Sequence, residues 1–418
     1  LSMAATTSGI RNVAVGRQSM CANTTGCCNV AMGSNALASG TTGDFNVAVG
    51  GAALGSVNTG NCNTAVGACA MNTNTSGANN VAVGKDSLKA NTTGTQIVAI
   101  GTLALDANTS GNELTAMGYN SLGANTTGCY NVAVGDNALA ANTTGNDNTT
   151  IGMRSLLNNT TGTNNTSVGR NALRENTTAA NNTAVGLSSL ACNTTGTLNT
   201  MVGSCSGFAM TTGQQNSGIG INTFQANTTG SRNSTVGASS LATNISGSDN
   251  TAFGHAALGA NTTASNNTAV GRASMQTNTT GTSNVAVGFK SLLTNTTGGN
   301  NVSLGLCSLF SNTTASDNTA IGGVALLSNT TGSDNTSVGS GSLLTNSTGA
   351  SNVAVGKDAL KRNTTAAENT AIGKSALCAN TTGAANTAVG LNALLDATTS
   401  ASNTAVGVEA LQNVTTGT

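Results

Sequence analysis

Residues 284–300 read NVAVGFKSLLTNTTGGN, and the next seventeen residues, 301–317, read NVSLGLCSLFSNTTASD. The pattern returns at this spacing in 24 units from residue 12 onward, and glycine occupies its fifth position every time, from Gly16 to Gly407. We number the positions of one unit as columns 1 to 17, with Asn284 in column 1 and Gly288 in column 5. A short period without insertions indicates that each unit packs on its neighbours along the chain.

The length of the unit excludes helical repeats. A helix-hairpin unit such as the tetratricopeptide repeat needs about 34 residues, and glycines in columns 5 and 15 would destabilise a single helix. The sequence therefore predicts an all-β fold, a parallel β-solenoid (β-roll) of 24 coils of 17 residues. We expect one continuous array over 1–418, with a partial coil at 1–11 and repeats over 12–418, forming a segment of a longer fibre because it starts and stops within a repeat.

Composition favours a narrow solenoid over a globular domain. Aromatic residues make up 2% of the chain, charged residues 7%, and tryptophan and proline do not occur, so a large core of bulky side chains cannot form. The net charge is zero and there is no basic stripe, which argues against a nucleic-acid partner. No run of eighteen apolar residues occurs, so we expect no membrane insertion.

The distribution of charge predicts which columns face water. All 28 charged residues fall in columns 6, 7, 10, 11, 16 and 17, which we interpret as exposed bends, and the other eleven columns as shielded. Columns 1 to 5 form the strand, with columns 2 and 4 on one face and column 3 on the other. We expect the aliphatic residues of column 4 and the leucines of column 9 to fill the coil.

The small residues of column 3, such as Ala286, are then free to let a second chain approach closely, which predicts oligomerisation around a common axis. The alternative is that short side chains lie on an inert, exposed face. Column 5 is predicted to be glycine because of a positive φ or a close backbone contact. One irregular patch, 199–226, lacks the column 9 leucine at Gly207, and we expect local repacking there, with Phe208 taking over, in preference to a functional hinge.

The runs Asn-Thr-Ala-Val-Gly-x-x-Ala-Leu at 386–394 and Asn-Val-Ala-Val-Gly-x-x-Ser-Leu at 284–292 resemble the head repeats of trimeric autotransporter adhesins of the YadA type. They are still more similar to repeats of phage and large-virus tail-fibre proteins. The resemblance covers essentially the whole chain, although the adhesin unit is usually shorter. It implies a left-handed β-roll, a homotrimer, and a role in surface attachment.

Asparagine occupies column 12 in 19 of 24 units and is always followed two residues later by Ser or Thr, which makes each a formal N-glycosylation sequon. The units that lack this Asn keep Thr in column 14, so the threonine has a structural reason of its own. We favour Asn and Thr ladders that hydrogen-bond along the stack, and keep glycan decoration as the alternative. The candidate glycosylation sites are Asn23, Asn91, Asn125, Asn142, Asn227, Asn295 and Asn380.

Catalytic and metal-binding patterns do not emerge. The single histidine, His255, cannot support a triad, and Gly218 and Gly220 lack the rest of a phosphate loop. The ten cysteines show no zinc spacing, and only Cys192 and Cys205 lie in adjacent coils at corners that a disulfide could bridge, so we expect surface thiols, with inter-chain disulfides as the alternative. We therefore predict no enzyme activity, cofactor or metal.

Two function classes remain. The first is a structural fibre or adhesin shaft of a virion tail or cell-surface filament, located at the virion surface or outside the cell, whose main partner is itself as a homotrimer or filament. The second is a glycan-decorated filament or a surface that binds a repetitive ligand such as ice, glycans or a host surface.

Overall fold

The computed structural model describes residues 2–56 and 58–415, and this part of the chain contains 24 β-strands of three residues each and no helix. Each strand occupies columns 2 to 4 of one unit. The strands are β1 Val13–Val15, β2 Val30–Met32, β3 Val47–Val49, β4 Thr64–Val66, β5 Val81–Val83, β6 Val98–Ile100, β7 Thr115–Met117, β8 Val132–Val134, β9 Thr149–Ile151, β10 Thr166–Val168, β11 Thr183–Val185, β12 Thr200–Val202, β13 Ser217–Ile219, β14 Ser234–Val236, β15 Thr251–Phe253, β16 Thr268–Val270, β17 Val285–Val287, β18 Val302–Leu304, β19 Thr319–Ile321, β20 Thr336–Val338, β21 Val353–Val355, β22 Thr370–Ile372, β23 Thr387–Val389 and β24 Thr404–Val406.

Consecutive strands pair in parallel with each column opposite itself, as when Val285, Ala286 and Val287 pair with the corresponding residues of β18. The chain forms two compact units, one that ends at Thr212 and carries β1–β12 and one that begins at Gly213 and carries β13–β24. The predicted parallel β-solenoid is confirmed. Its left-handed sense and the single continuous array over 1–418 stay predictions.

The interior of the coil is built from columns 1, 3, 8, 9, 12 and 15. In one coil, Ala286, Ser291, Leu292 and Asn295 are all fully buried. The prediction for column 9 is confirmed, whereas the prediction that column 4 fills the coil and column 3 faces outward is wrong. Val287 in column 4 is 37% exposed, because the small residue and not the aliphatic one points into the narrow coil.

The turn after each strand requires glycine in column 5 for both predicted reasons. Gly288 has φ +136°, a conformation that other residues rarely adopt. A Cβ built on it would lie 2.3 Å from the carbonyl oxygen of Gly305 in the next coil. The column is therefore fixed by backbone conformation and by backbone packing together.

Columns 7, 9 and 17 adopt the left-handed conformation, which the sequence pattern did not predict. In one coil, Lys290, Leu292 and Asn300 have φ values of 53°, 54° and 56°. Branching at Cβ makes this conformation especially unfavourable. Column 9 accordingly contains Leu, Met, Phe or Gly and never Ile or Val.

Two asparagines and one carbonyl close the coil, an arrangement we call the asparagine clasp. The Nδ2 atoms of Asn80 in column 1 and Asn91 in column 12 both donate to the carbonyl oxygen of Gly94 in column 15, at 2.8 and 3.1 Å. Asn91 Nδ2 also donates to Oδ1 of Asn74 one coil earlier, at 2.8 Å. The clasp satisfies polar groups that would otherwise be buried without partners, and the predicted ladder of asparagines is confirmed.

The irregular patch at 199–226 contains two coils with exchanged side-chain sizes. In the coil of β12, Met201 in column 3 is buried, and a Cβ built on Gly207 in column 9 would lie 3.1 Å from its Cγ. In the coil of β13, Gly218 occupies column 3 and Phe224 fills column 9, and both are buried. Phe208 is 40% exposed, so the expectation that it replaces the missing leucine is wrong, and Met201 fills that space instead.

Candidate functional site

A flat outward face of the strands, formed by columns 2 and 4, is the largest candidate surface, and we call it the sheet stripe. None of its 48 residues is buried in the described chain. Column 2 contains only Thr, Val or Ser, and column 4 only Val, Ile, Met, Leu or Phe. Val15, Ile151, Phe253 and Ile372 in column 4 are 41% to 55% exposed. The prediction that all eleven charge-free columns are shielded is therefore wrong for this face.

The same feature relocates the predicted contact surface. Sequence reasoning gave the contact role to column 3, but Ala286 is fully enclosed by its own coil. The absence of charge from columns 2 to 4 has two separate causes. Column 3 excludes charge because it is buried, whereas the exposed columns 2 and 4 exclude it although water is accessible to them in the single chain.

A row of hydroxyl groups in column 14 forms a second candidate surface. Every unit carries Thr or Ser there, and Thr93, Thr144 and Thr297 are exposed. The preceding threonine is bound along the stack, as when Thr92 Oγ1 donates to the Thr109 carbonyl at 2.9 Å. The column 14 hydroxyl of the described coils faces solvent, with one exception in Thr59, which donates to the Thr75 carbonyl.

The candidate glycosylation sites lie inside the coil and not on this surface. Asn125 Nδ2 donates to Asn108 Oδ1 at 2.9 Å and to the Gly128 carbonyl at 3.0 Å, and Asn295 Nδ2 makes the equivalent bonds at 2.8 and 2.9 Å. All seven candidates are at most 1% exposed, and each Nδ2 donates to the column 15 carbonyl of its own coil. The seven are Asn23, Asn91, Asn125, Asn142, Asn227, Asn295 and Asn380.

The sequence contains further sequons that the column pattern hides. Asn164, Asn181 and Asn266 stand in column 17, each followed two residues later by the threonine of column 2. All three are exposed. A search for the Asn-x-Thr pattern alone would have found them, but only the structure separates these exposed asparagines from the buried ones.

Charged side chains decorate the bends without forming a reactive cluster. Lys89 Nζ lies 3.1 Å from Asp86 Oδ1, and the neighbouring Asp106 is half-buried, which raises its pKa. Arg232 holds Asp249 through two hydrogen bonds of 2.7 and 2.9 Å and lowers the pKa of that carboxyl. Both pairs connect corners of the solenoid, and each is open to solvent on at least one partner.

Cysteines and metal ligands stay dispersed. All ten cysteines are free thiols, and nine of them are half-buried, including Cys192 and Cys205. Burial raises the pKa of the Cys192 and Cys378 thiols, which disfavours the reactive thiolate. Within residues 2–56 and 58–415 no group of three His, Cys, Asp or Glu side chains is placed to hold a metal ion, and His255 is exposed on a bend.

The second unit also carries a shallow open groove of about 320 Å³ between columns 7, 10 and 11 of neighbouring coils. Its walls include Ala242, Ala256, Gly259 and Thr277, and no ionisable group lines it. It arises where small residues replace larger ones at the bend. In the described part of the chain, no helix has the length and hydrophobicity needed to cross a membrane.

Comparison with known proteins leaves the interpretation to the structure itself. No protein-family model matches the chain, and a comparison with curated proteins finds no similar sequence.

Proposed function

We propose that the chain is a non-enzymatic structural shaft of a virion tail or cell-surface filament, which associates with copies of itself through the sheet stripe and supports attachment. The observation that carries this proposal is the composition of column 4. It is exposed or half-buried in the single chain, yet every one of its 24 residues is a large apolar one. Positions that face water over a whole surface usually accept polar residues, and a long uninterrupted apolar row is typical of a contact surface.

A second copy of the chain is the partner that fits this row best. Coils follow one another at the strand spacing of roughly 4.8 Å, so an apolar row of matching period must come from a molecule with the same repeat. Identical chains supply that match on every coil, and closed cyclic symmetry then covers the stripe of each copy equally. A homotrimer, as the resemblance to trimeric fibres implies, is one such arrangement.

Irregular side chains in the stripe favour protein packing over a crystalline ligand. Met32, Met117 and Phe253 stand among valines in column 4, so the face is not a uniform lattice of the kind that ice would match. Flexible and bulky apolar groups instead fit a partner that can interdigitate with them. The column 14 hydroxyl row remains the basis of a second candidate function, the binding of a repetitive glycan, which glycan-array binding of the purified chain would test.

The test of self-association compares two leucines of one coil. Leu304 lies in the sheet stripe and Leu306 two residues later in exposed column 6, so Leu304→Lys and Leu306→Lys add the same charge to opposite sides of the turn at Gly305. We expect Leu304→Lys to weaken the oligomer by at least tenfold in dissociation constant, because a charge buried at an interface is costly, and Leu306→Lys to leave it unchanged. Sedimentation equilibrium measures both.

A wild-type chain that sediments as a folded monomer at all accessible concentrations would contradict the proposal. Equal weakening by both lysines would also contradict it, since the contact would then not be specific to columns 2 and 4.

A further inference from the structure

We infer that an N-glycan on a column 12 asparagine and a folded coil exclude one another, so this chain folds before, or away from, any contact with oligosaccharyl transfer. The same geometry assigns Asn164, Asn181 and Asn266 as positions where a folded coil can carry a glycan. The inference rests on the hydrogen bonds of the asparagine clasp and is independent of the proposed shaft function.

The chemistry of the modification explains the conflict. Transfer forms a bond between Nδ2 and the anomeric carbon of an oligosaccharide, breaks the bond from that carbon to a lipid diphosphate, and removes one Nδ2 proton. In Asn91 both Nδ2 protons are in use, one towards Asn74 Oδ1 at 2.8 Å and one towards the Gly94 carbonyl at 3.1 Å. A modified Asn91 therefore loses one of these two bonds and leaves a buried acceptor without its donor.

Space is the second obstacle. Asn91, Asn142 and Asn380 are fully buried, and their side chains point into a coil whose neighbours stack at roughly 4.8 Å. A sugar attached to Nδ2 must pass through the clasp carbonyl or the adjacent coil. Since the obstacle recurs at each column 12 asparagine, the 19 sequons make the chain vulnerable along most of its length.

Column 17 presents the opposite environment. Asn164 Nδ2 donates only to the Thr163 hydroxyl of the neighbouring residue, at 3.3 Å, and the side chain is exposed. A sugar on Asn164, Asn181 or Asn266 extends into solvent from a bend that already accepts Tyr130 and Phe45 in the same column. These asparagines are internal controls, because they carry the same acceptor pattern on the same polypeptide.

The threonine of column 14 offers a matched variant. Thr93→Ala removes the sequon at Asn91 but retains its amide, and the Thr93 hydroxyl faces solvent. Produced in a bacterial cytosol without N-glycosylation, the Thr93→Ala chain is expected to match the wild type in circular dichroism and melting temperature.

The experiment directs the full chain into the secretory pathway of a eukaryotic cell, with and without an inhibitor of lipid-linked oligosaccharide synthesis. Soluble, protease-resistant protein is separated from aggregated protein, and glycopeptide mass spectrometry measures occupancy at each asparagine. We expect column 12 occupancy only in aggregated protein, any glycan in the folded fraction confined to column 17, and at least a fivefold gain of folded protein with the inhibitor.

Glycopeptides from Asn91, Asn142 or another column 12 asparagine in the folded fraction would overturn the inference. Failure of the inhibitor to increase the folded fraction would overturn it as well, since the loss of folding would then have a cause other than the glycans. A folded fraction that forms without the inhibitor and lacks column 12 glycans supports folding ahead of transfer.

Discussion

The coil at 284–300 and the coil at 199–215 solve the same packing problem with different residues. In the first, Ala286 in column 3 and Leu292 in column 9 are both fully buried. In the second, Met201 takes the place of the alanine, and Gly207 takes the place of the leucine. The Met201 side chain occupies the space where a side chain at Gly207 would lie.

The coil at 216–232 makes the reverse exchange, with Gly218 in column 3 and buried Phe224 in column 9. The two irregular coils thus show that the interior conserves the combined volume of two columns and not the residue in either one. Protein interiors are packed densely enough for such an exchange to be required once one member changes. The coils at 199–215 and 216–232 can be understood as repacked versions of the regular coil.

The strongest test of this comparison restores the regular coil in two steps. Met201→Ala alone should destabilise the first unit by about 2–5 kcal/mol through a cavity, and Gly207→Leu alone by about 1–3 kcal/mol through overpacking. The double variant should be within about 1 kcal/mol of wild type, because the φ of +63° at Gly207 matches the left-handed conformation of the other column 9 leucines. Urea denaturation of the three variants measures the coupling.

Additive losses in the double variant would show that the two residues do not share one volume. The assignment of both columns to the interior would still stand on their burial, but the exchange would need another cause.

The second test separates side-chain volume from backbone conformation in a regular coil. Leu292→Met should cost less than about 1.5 kcal/mol, whereas Leu292→Ile should cost about 1–2 kcal/mol more than that, since φ at this residue is +54° and Cβ branching is disfavoured there. Thermal unfolding of the two variants provides the comparison, with Lys290→Ala, expected within about 0.5 kcal/mol, as the surface control. Similar losses for Met and Ile would mean that packing alone selects leucine.

The sequence predicted the solenoid because its period and its invariant glycine depend only on the backbone. It did not predict the orientation of the strand, because alternation separates column 3 from columns 2 and 4 without saying which face is inside. Apolar content suggested that Val287 was buried, but the coil is so narrow that Ala286 fits and Val287 does not. The candidate surface was therefore placed on the correct strand and on its wrong face.

The third test extends the comparison to the clasp. The coil at 386–402 has Ala397 in column 12, and the buried Oδ1 of Asn380, one coil earlier, lacks a hydrogen-bond donor in the described structure. Ala397→Asn supplies an Nδ2 donor at the position that asparagine occupies in regular coils. We expect a gain of about 0.5–1.5 kcal/mol, measured by urea denaturation, with Ala397→Leu as a control that fills space without a donor.

A gain from Ala397→Leu equal to that from Ala397→Asn would attribute the effect to cavity filling. A loss from Ala397→Asn would mean that the clasp requires its asparagine only in coils where column 15 is glycine, since Ser400 occupies that column here.

The smallest effect is expected at the exposed end of an irregular coil, where Arg232 in column 17 pairs with Asp249 of the next coil. Because Arg232 lowers the pKa of Asp249, the stabilisation is fully present above the ordinary carboxyl pKa of about 3.9 and is lost as the pH falls through the lowered value. Asp249→Asn should flatten the stability profile between about pH 4 and pH 2, and high salt should reduce the difference. A profile unaffected by Asp249→Asn would assign this pair no role.

Stacked hydrogen bonds give each unit a distinctive mechanical response. Most backbone donors of a coil bind carbonyls one coil before or after, so a force applied along the stack loads the bonds of the terminal coil first. Each coil that peels away releases 17 residues, or roughly 55–60 Å of extended chain at about 3.3–3.6 Å per residue, in exchange for one stack spacing. Extension by optical tweezers is therefore expected to proceed in steps of one coil, so that a unit yields gradually under tension where a globular domain of similar length would open in a single event.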